Sequence, residues 1–512
     1  MAIISLDLYY LVARMNRTEK AYFSKFGYKY DKKEKSEITL FTILDKLCVN
    51  EDIIEDNIED KAKNIFNKKQ PLSNFSKTKT NLYTDILTAL RQYEKNKMND
   101  EKAFEFYQFA NILINKNLFK EALVFLRKAE KICVEYEFFE LQILTNQLQA
   151  FAMLRISSMK KDNTTLTLIQ DSYATVKNIL ETLNTKKEYF ELAFLQKEKG
   201  IVNSNEEITL LNEKENLLNN LQIESISARL YQLQALSTIA LLQSNQEKSM
   251  EFYGQIITLM DDKNTIKYVN LYKYISIYDQ ILQNLLLSFK IESFEEKVAE
   301  FNKISVVSEQ DFACKENASI FLYGIYAILN NRLNLFDSLS NRFTKLLHRS
   351  DYFIPGYRKI SIAYYMVTGF FMQNNYNKST DWYNYINNNR KLGVRYDVDV
   401  ASRIMNILSF IHLGEYDVAD IHFKNLKNFY DKNSRFELDK IVVAVIGKLL
   451  IETNPKKKSI AIHSFIEKIQ NIIKENQTEI QFLGVFDLLS YLEAQVNESL
   501  FYENWRKRNL GV

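Results

Sequence analysis

The residue types that carry chemistry are sparse in this sequence, and their spacing does not suit it. Four histidines are present, His348, His412, His422 and His463. Two imidazoles bind one metal from a single helix face at HExxH or HxxxH spacing, and no pair here has it. Three cysteines, Cys48, Cys133 and Cys314, lie far apart without a CxxC pair, so neither a zinc site nor a disulfide framework is expected. Phosphate loops need closely spaced glycines to bring backbone amides onto the phosphate. Gly447-Lys448 lacks the earlier glycine and the following Ser or Thr of such a loop, and neither GxGxxG nor GxSxG occurs. No catalytic residue, metal or cofactor is therefore called for, and the chain does not read as an enzyme.

The remaining candidates have structural explanations. Asp261-Asp262 and Asp397 with Asp399 could ligate a metal or act as acid and base, but they fall where helix starts and turns are expected, which capping and solvation explain. Cys133 reads as a small buried hydrophobe within an amphipathic helix. Basic residues cluster at Lys25, Lys29, Lys32, Lys33 and Lys35, interleaved with Tyr28 and Tyr30, and again at Trp505, Arg506, Lys507 and Arg508. Lysines beside aromatics can hold RNA phosphates and stack bases, so an RNA- or ribosome-associated factor is the alternative function. Against it, 67 Lys and Arg meet 64 Asp and Glu, a net charge of only +3, too little for a field that gathers polyanions.

What must position such residues is a long array of helices. Glycine (11) and proline (3) make up 14 of 512 residues, against roughly 12% in ordinary proteins. Sheets and α/β nucleotide folds need turns and loops rich in both, so those classes recede together. A hydrophobic content of 46% with 26% charged residues is globular. The N-terminus has no basic residue ahead of its apolar stretch and places Asp7 inside it, unlike a secretory signal. Apolar runs such as Ile320 to Leu329 and Ile441 to Gly447 fall short of the ~20 residues of a membrane span. A cytoplasmic protein without a membrane span is expected.

Residues 1–100 read as a helical region without a clear repeat: Ile3 to Ala13, Thr18 to Phe26, Glu37 to Val49, Glu51 to Lys68 and Phe75 to Lys95. In the fourth, Ile54, Ile58, Ala62 and Ile65 share one face, with acids early and lysines late, as the helix dipole favours. From 101 to 512 the pattern becomes paired helices. Phe106, Phe109 and Leu113 surround Ala110, a polar turn follows, and Phe119, Ala122, Leu126 and Ala129 line a second helix; the small residues permit close approach. This segment, with Leu118-Phe119-Lys120-Glu121-Ala122, resembles a tetratricopeptide repeat, as does Gly414-Glu415-Tyr416-Asp417-Val418-Ala419. Val134 stands where that family often has proline. The phrase Met15 to Phe26, MNRTEKAYFSKF, followed by helical repeats, is similar to uncharacterised bacterial tetratricopeptide-like proteins, a resemblance that brings no activity with it.

In the C-terminal half, Phe336, Tyr376, Tyr416 and Lys456 fall 40 residues apart. Behind them recur Leu339, Phe343, Leu346; Ser379, Tyr383, Ile386; Ala419, Phe423, Leu426; and Ser459, His463, Ile466. Weaker units run through Phe294, Lys297, Phe301 and Ile304, and through Ser249, Tyr253 and Ile256. His463 thus reads as core. The fold expected is all-α, a right-handed superhelical array of antiparallel helix pairs with a period of about 40 residues, longer than the 34 of the resembled family.

Stacked hairpins leave one curved surface lined by their first helices. Carrying the register there puts Phe104, Tyr107 and Asn111, then Tyr364, Thr368 and Phe371, then Ile404, Leu408 and His412 on the concave face. An aromatic, apolar groove of this kind marks a partner site. The expected function is a non-enzymatic adaptor or scaffold that docks a protein or peptide there, unless the groove is filled by the chain's own C-terminal helix.

Overall fold

A computed structural model describes residues 4–28, 36–50, 58–94, 99–156, 163–199, 205–263, 266–267, 270–306, 308–433, 438–452, 454–475, 487–497 and 499–511. Among them are 24 α-helices and no strand. The helices form two compact units, Met1–Asn245 with Lys263–Val269, and Gln246–Asp262 with Asn270–Val512.

The first unit holds α1 (Ile4–Arg14), α2 (Arg17–Tyr28), α3 (Ser36–Asn50), α4 (Ile58–Asn67), α5 (Phe75–Glu94), α6 (Asn99–Asn115), α7 (Phe119–Tyr136), α8 (Phe139–Ile156), α9 (Asn163–Lys199), α10 (Asn205–Asn219) and α11 (Ile226–Leu242). Helices α1 to α5 share a core of Leu8, Tyr9, Val12, Phe23, Leu40, Leu44, Ile58, Ala62, Phe66, Leu82, Ile86 and Ala89. Asn16 starts α2 with a capping box. Its carboxamide oxygen accepts the Glu19 amide at 2.9 Å, while Glu19 Oε2 accepts the Asn16 amide at 2.8 Å, so both otherwise unpaired donors are satisfied. In α4 the inward face is Ile58, Ala62 and Phe66, whereas Ile65 is exposed; the sequence register was one residue off at its end, and Ile54 lies outside the described residues. The α6–α7 hairpin buries Ala110, Ile114, Ala122 and Leu126 together.

In the second unit come α12 (Gln246–Asp262), α13 (Leu271–Leu287), α14 (Ile291–Lys303), α15 (Glu309–Leu329), α16 (Leu335–Ser350), α17 (Gly356–Met372), α18 (Tyr376–Asn388), α19 (Tyr396–His412), α20 (Tyr416–Asn433), α21 (Leu438–Ile451), α22 (Pro455–Glu475), α23 (Leu488–Asn497) and α24 (Phe501–Leu510). Successive helices pack on their chain neighbours and on the next helix but one, as α15 does on α16 and α17, the pattern of a helical repeat array.

Turns in a chain so poor in glycine close by another route. Leu118 N–H reaches Leu113 O and Asn117 N–H reaches Ile114 O, each at 2.9 Å, a Schellman closure that needs one left-handed residue. Asn117, Ser244, Phe289, Asn331 and Asn374 all take that conformation, with φ between 54° and 62°, whereas Gly414 is the glycine that does so at such a turn.

The second-helix seam buries Leu339, Phe343, Leu346, Ser379, Tyr383, Ile386, Ala419 and Leu426. It fails in α22. There Ile462 and Ile469 are buried and His463 is exposed, because helical geometry puts Ile462 and Ile469 on one edge and His463 more than a quarter-turn away. In α14, similarly, Val298 is buried and Lys297 is not.

Candidate binding cleft

The nine residues expected on an open concave face divide into two groups. On α6, Phe104 and Asn111 are exposed and Tyr107 is half-buried; the rings of Phe104 and Tyr107 stack 6.2 Å apart with 24° between planes. In the second unit the expectation of an open groove is corrected. Tyr364, Thr368, Phe371, Ile404 and Leu408 are buried, and the chain's own C-terminal helices cover Phe371. Phe371 meets the rings of Tyr491 and Phe501 at 6.1 and 5.6 Å, and Tyr502 donates its hydroxyl to the Ile328 carbonyl. His412 keeps an exposed edge but lies flat on Tyr376, 4.5 Å between centroids, with Nε2 3.1 Å from the Tyr491 hydroxyl. Loss of water around its ring, with the Lys458 ammonium second, holds its imidazole well below the ordinary range, so it stays neutral at physiological pH.

What remains open is a cleft of about 320 Å³ in the first unit, walled by Phe104, Phe138 and Leu141 and edged by Asp100, Glu101, Glu137 and Glu140. Local sequence explains each wall. Asp100 and Glu101 occupy the first turn of α6, where acids suit the dipole. The α7–α8 turn pivots on Glu137, which is left-handed at φ 55°, and Tyr136 and Phe138 stack across it at 5.7 Å. The Glu137 carboxylate is already engaged: it accepts the Ile226 and Ser227 amides, each at 2.8 Å, at the start of α11. Asp100, Glu101 and Glu140 are left to face a ligand. Among the described residues no three ligating side chains are gathered closely enough for a metal. The residues of the α7–α8 turn were missed from sequence, although the run Tyr136-Glu137-Phe138-Phe139-Glu140-Leu141 shows acids alternating with aromatics.

A second cleft, about 390 Å³ in the second unit, is lined by Tyr383, Arg403, His422, Asn425 and Phe429 among others. Its groups are largely committed. Arg403 pairs with Asp399 at 3.0 Å and lies over Phe429, while His422 stacks on Phe410 at 5.3 Å.

The other sequence candidates are structural where they fall among the described residues. Asp399 is buried between Arg390 and Arg403, Asp397 pairs with Arg395, and Asp261 accepts the Tyr274 hydroxyl at 2.7 Å. Cys133 is fully buried, and burial pushes its thiol up to about 12. Lys25 is exposed; Lys29, Lys32, Lys33 and Lys35 lie outside the described residues. Trp505 stacks on Tyr502, and Arg508 reaches Glu493 at 3.2 Å.

These observations define an all-helical array with no helix, among the described residues, long and apolar enough to cross a membrane. No protein-family model, curated protein or solved structure matches the chain.

Proposed function

We propose that this chain is a cytoplasmic, non-enzymatic scaffold, built as a right-handed tetratricopeptide-like solenoid, that docks a protein or peptide segment carrying Lys or Arg next to an apolar residue. The observation that carries the reading is the exposed Phe104, stacked on Tyr107, directly beside the Asp100, Glu101 and Glu140 carboxylates. Aromatic surface supplies contact area at low entropic cost and the carboxylates select a cation. A peptide array that varies the spacing of basic and apolar residues tests this on the full chain. Basic-apolar peptides should bind and acidic ones should not. Glu101→Lys with Phe104→Ala should abolish that binding while the circular dichroism spectrum is unchanged; binding that survives the double change places the partner elsewhere. Co-purifying nucleic acid, seen as a high 260/280 absorbance ratio that disappears in high salt, would favour the RNA-associated alternative.

A further inference from the structure

Helix α9 is 37 residues long, and only one side of it is used by the fold. Leu168, Thr175, Thr185 and Leu192 are buried where α9 packs on α8 and α11. Along another side Leu166, Ile169, Tyr173, Val176, Leu180, Leu183, Phe190 and Phe194 are exposed by 41% to 79%. Their steps alternate three and four residues, interrupted once, at Lys187. That is the a/d spacing of a heptad over four repeats, a seam roughly 42 Å long at 1.5 Å per residue. Tyr173, at 79% exposure, contributes little to folding from that position. A 3-4 seam accepts another helix rather than an extended strand, because each side chain needs a hole between four residues of a facing helix.

We propose that α9 is a homodimerisation helix, pairing antiparallel with α9 of a second copy of this chain. The exposed seam amounts to on the order of 700 Å² per copy, taking roughly 170 Å² for each whole side chain, which approaches the ~800 Å² per partner of a standard interface. It also exceeds the ~300–600 Å² of the largest apolar patch on a typical monomer. The seam is self-complementary about a point between Leu180 and Leu183. In that register Leu180 meets Leu183 of its twin, Tyr173 meets Phe190, Ile169 meets Phe194 and Val176 meets Lys187, while Leu166 lies beyond the paired stretch. The four-carbon stem of Lys187 covers that valine while the ammonium reaches the rim, where Glu191 of its own helix already lies 3.6 Å away. A parallel pairing would instead bring the two Lys187 ammonium groups face to face. Flanking charges of both signs, Lys177, Lys186 and Glu191, provide no reason to prefer a strongly acidic or basic partner helix.

Light scattering coupled to size-exclusion chromatography on the full chain reads the outcome. The wild type should have twice the monomer mass, and Tyr173→Glu with Leu180→Glu should halve it without loss of helical circular dichroism, since both positions are exposed. Val176→Glu and Val176→Lys then report orientation. Across an antiparallel seam position 176 faces Lys187, so the glutamate variant keeps the dimer and the lysine variant loses it. If both lose it equally, the copies are parallel and the arrangement is overturned. A monomeric wild type, or a dimer that survives Tyr173→Glu with Leu180→Glu, overturns the assignment of the seam to a second copy. None of these readings depends on peptide binding at Phe104, so either proposal can fail alone.

Discussion

The carboxylate of Glu137, at the turn between α7 and α8, receives the backbone N–H of Ile226, 89 residues further along the chain, at 2.8 Å. It takes the Ser227 amide as well and lies 3.3 Å from the Ser225 hydroxyl, so one side chain satisfies two of the first-turn donors of α11, the Ala228 amide going to the Ser225 hydroxyl, and ties that turn to the edge of the acidic cleft. Helix starts leave such donors unpaired, and a charged acceptor there is worth more than a neutral one. Glu137→Ala should therefore lower stability by about 1–2 kcal/mol in urea unfolding, and Glu137→Gln, which keeps one acceptor, by less. Equal losses would mean the carboxylate is not the cap.

A buried ion pair supplies a pH signature. Asp279 pairs with Arg358, whose guanidinium lies 4.3 Å over Phe321. Burial raises the Asp279 carboxyl above its ordinary range, and Arg358 works against that rise. A carboxyl raised in the folded state binds a proton there at pH values where the unfolded chain has lost it, so stability declines as pH climbs through that window. Removing Arg358 extends the window upward. Arg358→Met should cost about 3–5 kcal/mol at neutral pH, with part of the loss regained on acidification. Adding Asp279→Asn should restore much of it at neutral pH and flatten the pH dependence; thermal melts across pH read both.

Close approach at Gly369 is the third test. A Cβ at this position in α17 would fall inside contact distance of the Phe336 ring, so Gly369→Ala should destabilise by about 1–3 kcal/mol through overpacking. Gly254 in α12 has nothing within 4 Å of an added Cβ. There the same change should stabilise by about 0.5–1 kcal/mol, because alanine has less backbone freedom to lose. A melt that moves the same way for both variants would contradict the packing.

The last concerns the second-helix seam. Ala419 is fully buried in α20, and Ala419→Phe should cost about 1–3 kcal/mol. Lys424 is exposed, with an i,i+4 pair to Asp420 at 2.7 Å, so Lys424→Ala should be silent to within ~0.5 kcal/mol. A chemical denaturation midpoint unchanged by Ala419→Phe would displace α20 from this register.

Much of the fold was written in local pattern. Three prolines and 11 glycines in 512 residues leave helix as the default, and small residues at Ala110, Ala122, Ala129 and Ala419 mark where helices touch, since their burial follows from spacing along a single helix. Which side of a first helix stays open is another matter. Phe104 and Phe371 look alike in sequence, apolar residues on first helices, yet Phe104 is exposed and Phe371 is covered by Tyr491 and Phe501, 120 and 130 residues away along the chain. Periodicity reports which residues share a face, not which distant helix arrives to cover it. His463 shows the same limit, because a helix can turn on its axis to bury Ile462 and Ile469 without any change in its spacing. The acidic cleft arises likewise from tertiary structure, which sets the first turn of α6 against the α7–α8 turn and holds that turn through Glu137. The heptad of α9 went unread in the sequence, and only the packing of its other side against α8 and α11 left those eight side chains without cover.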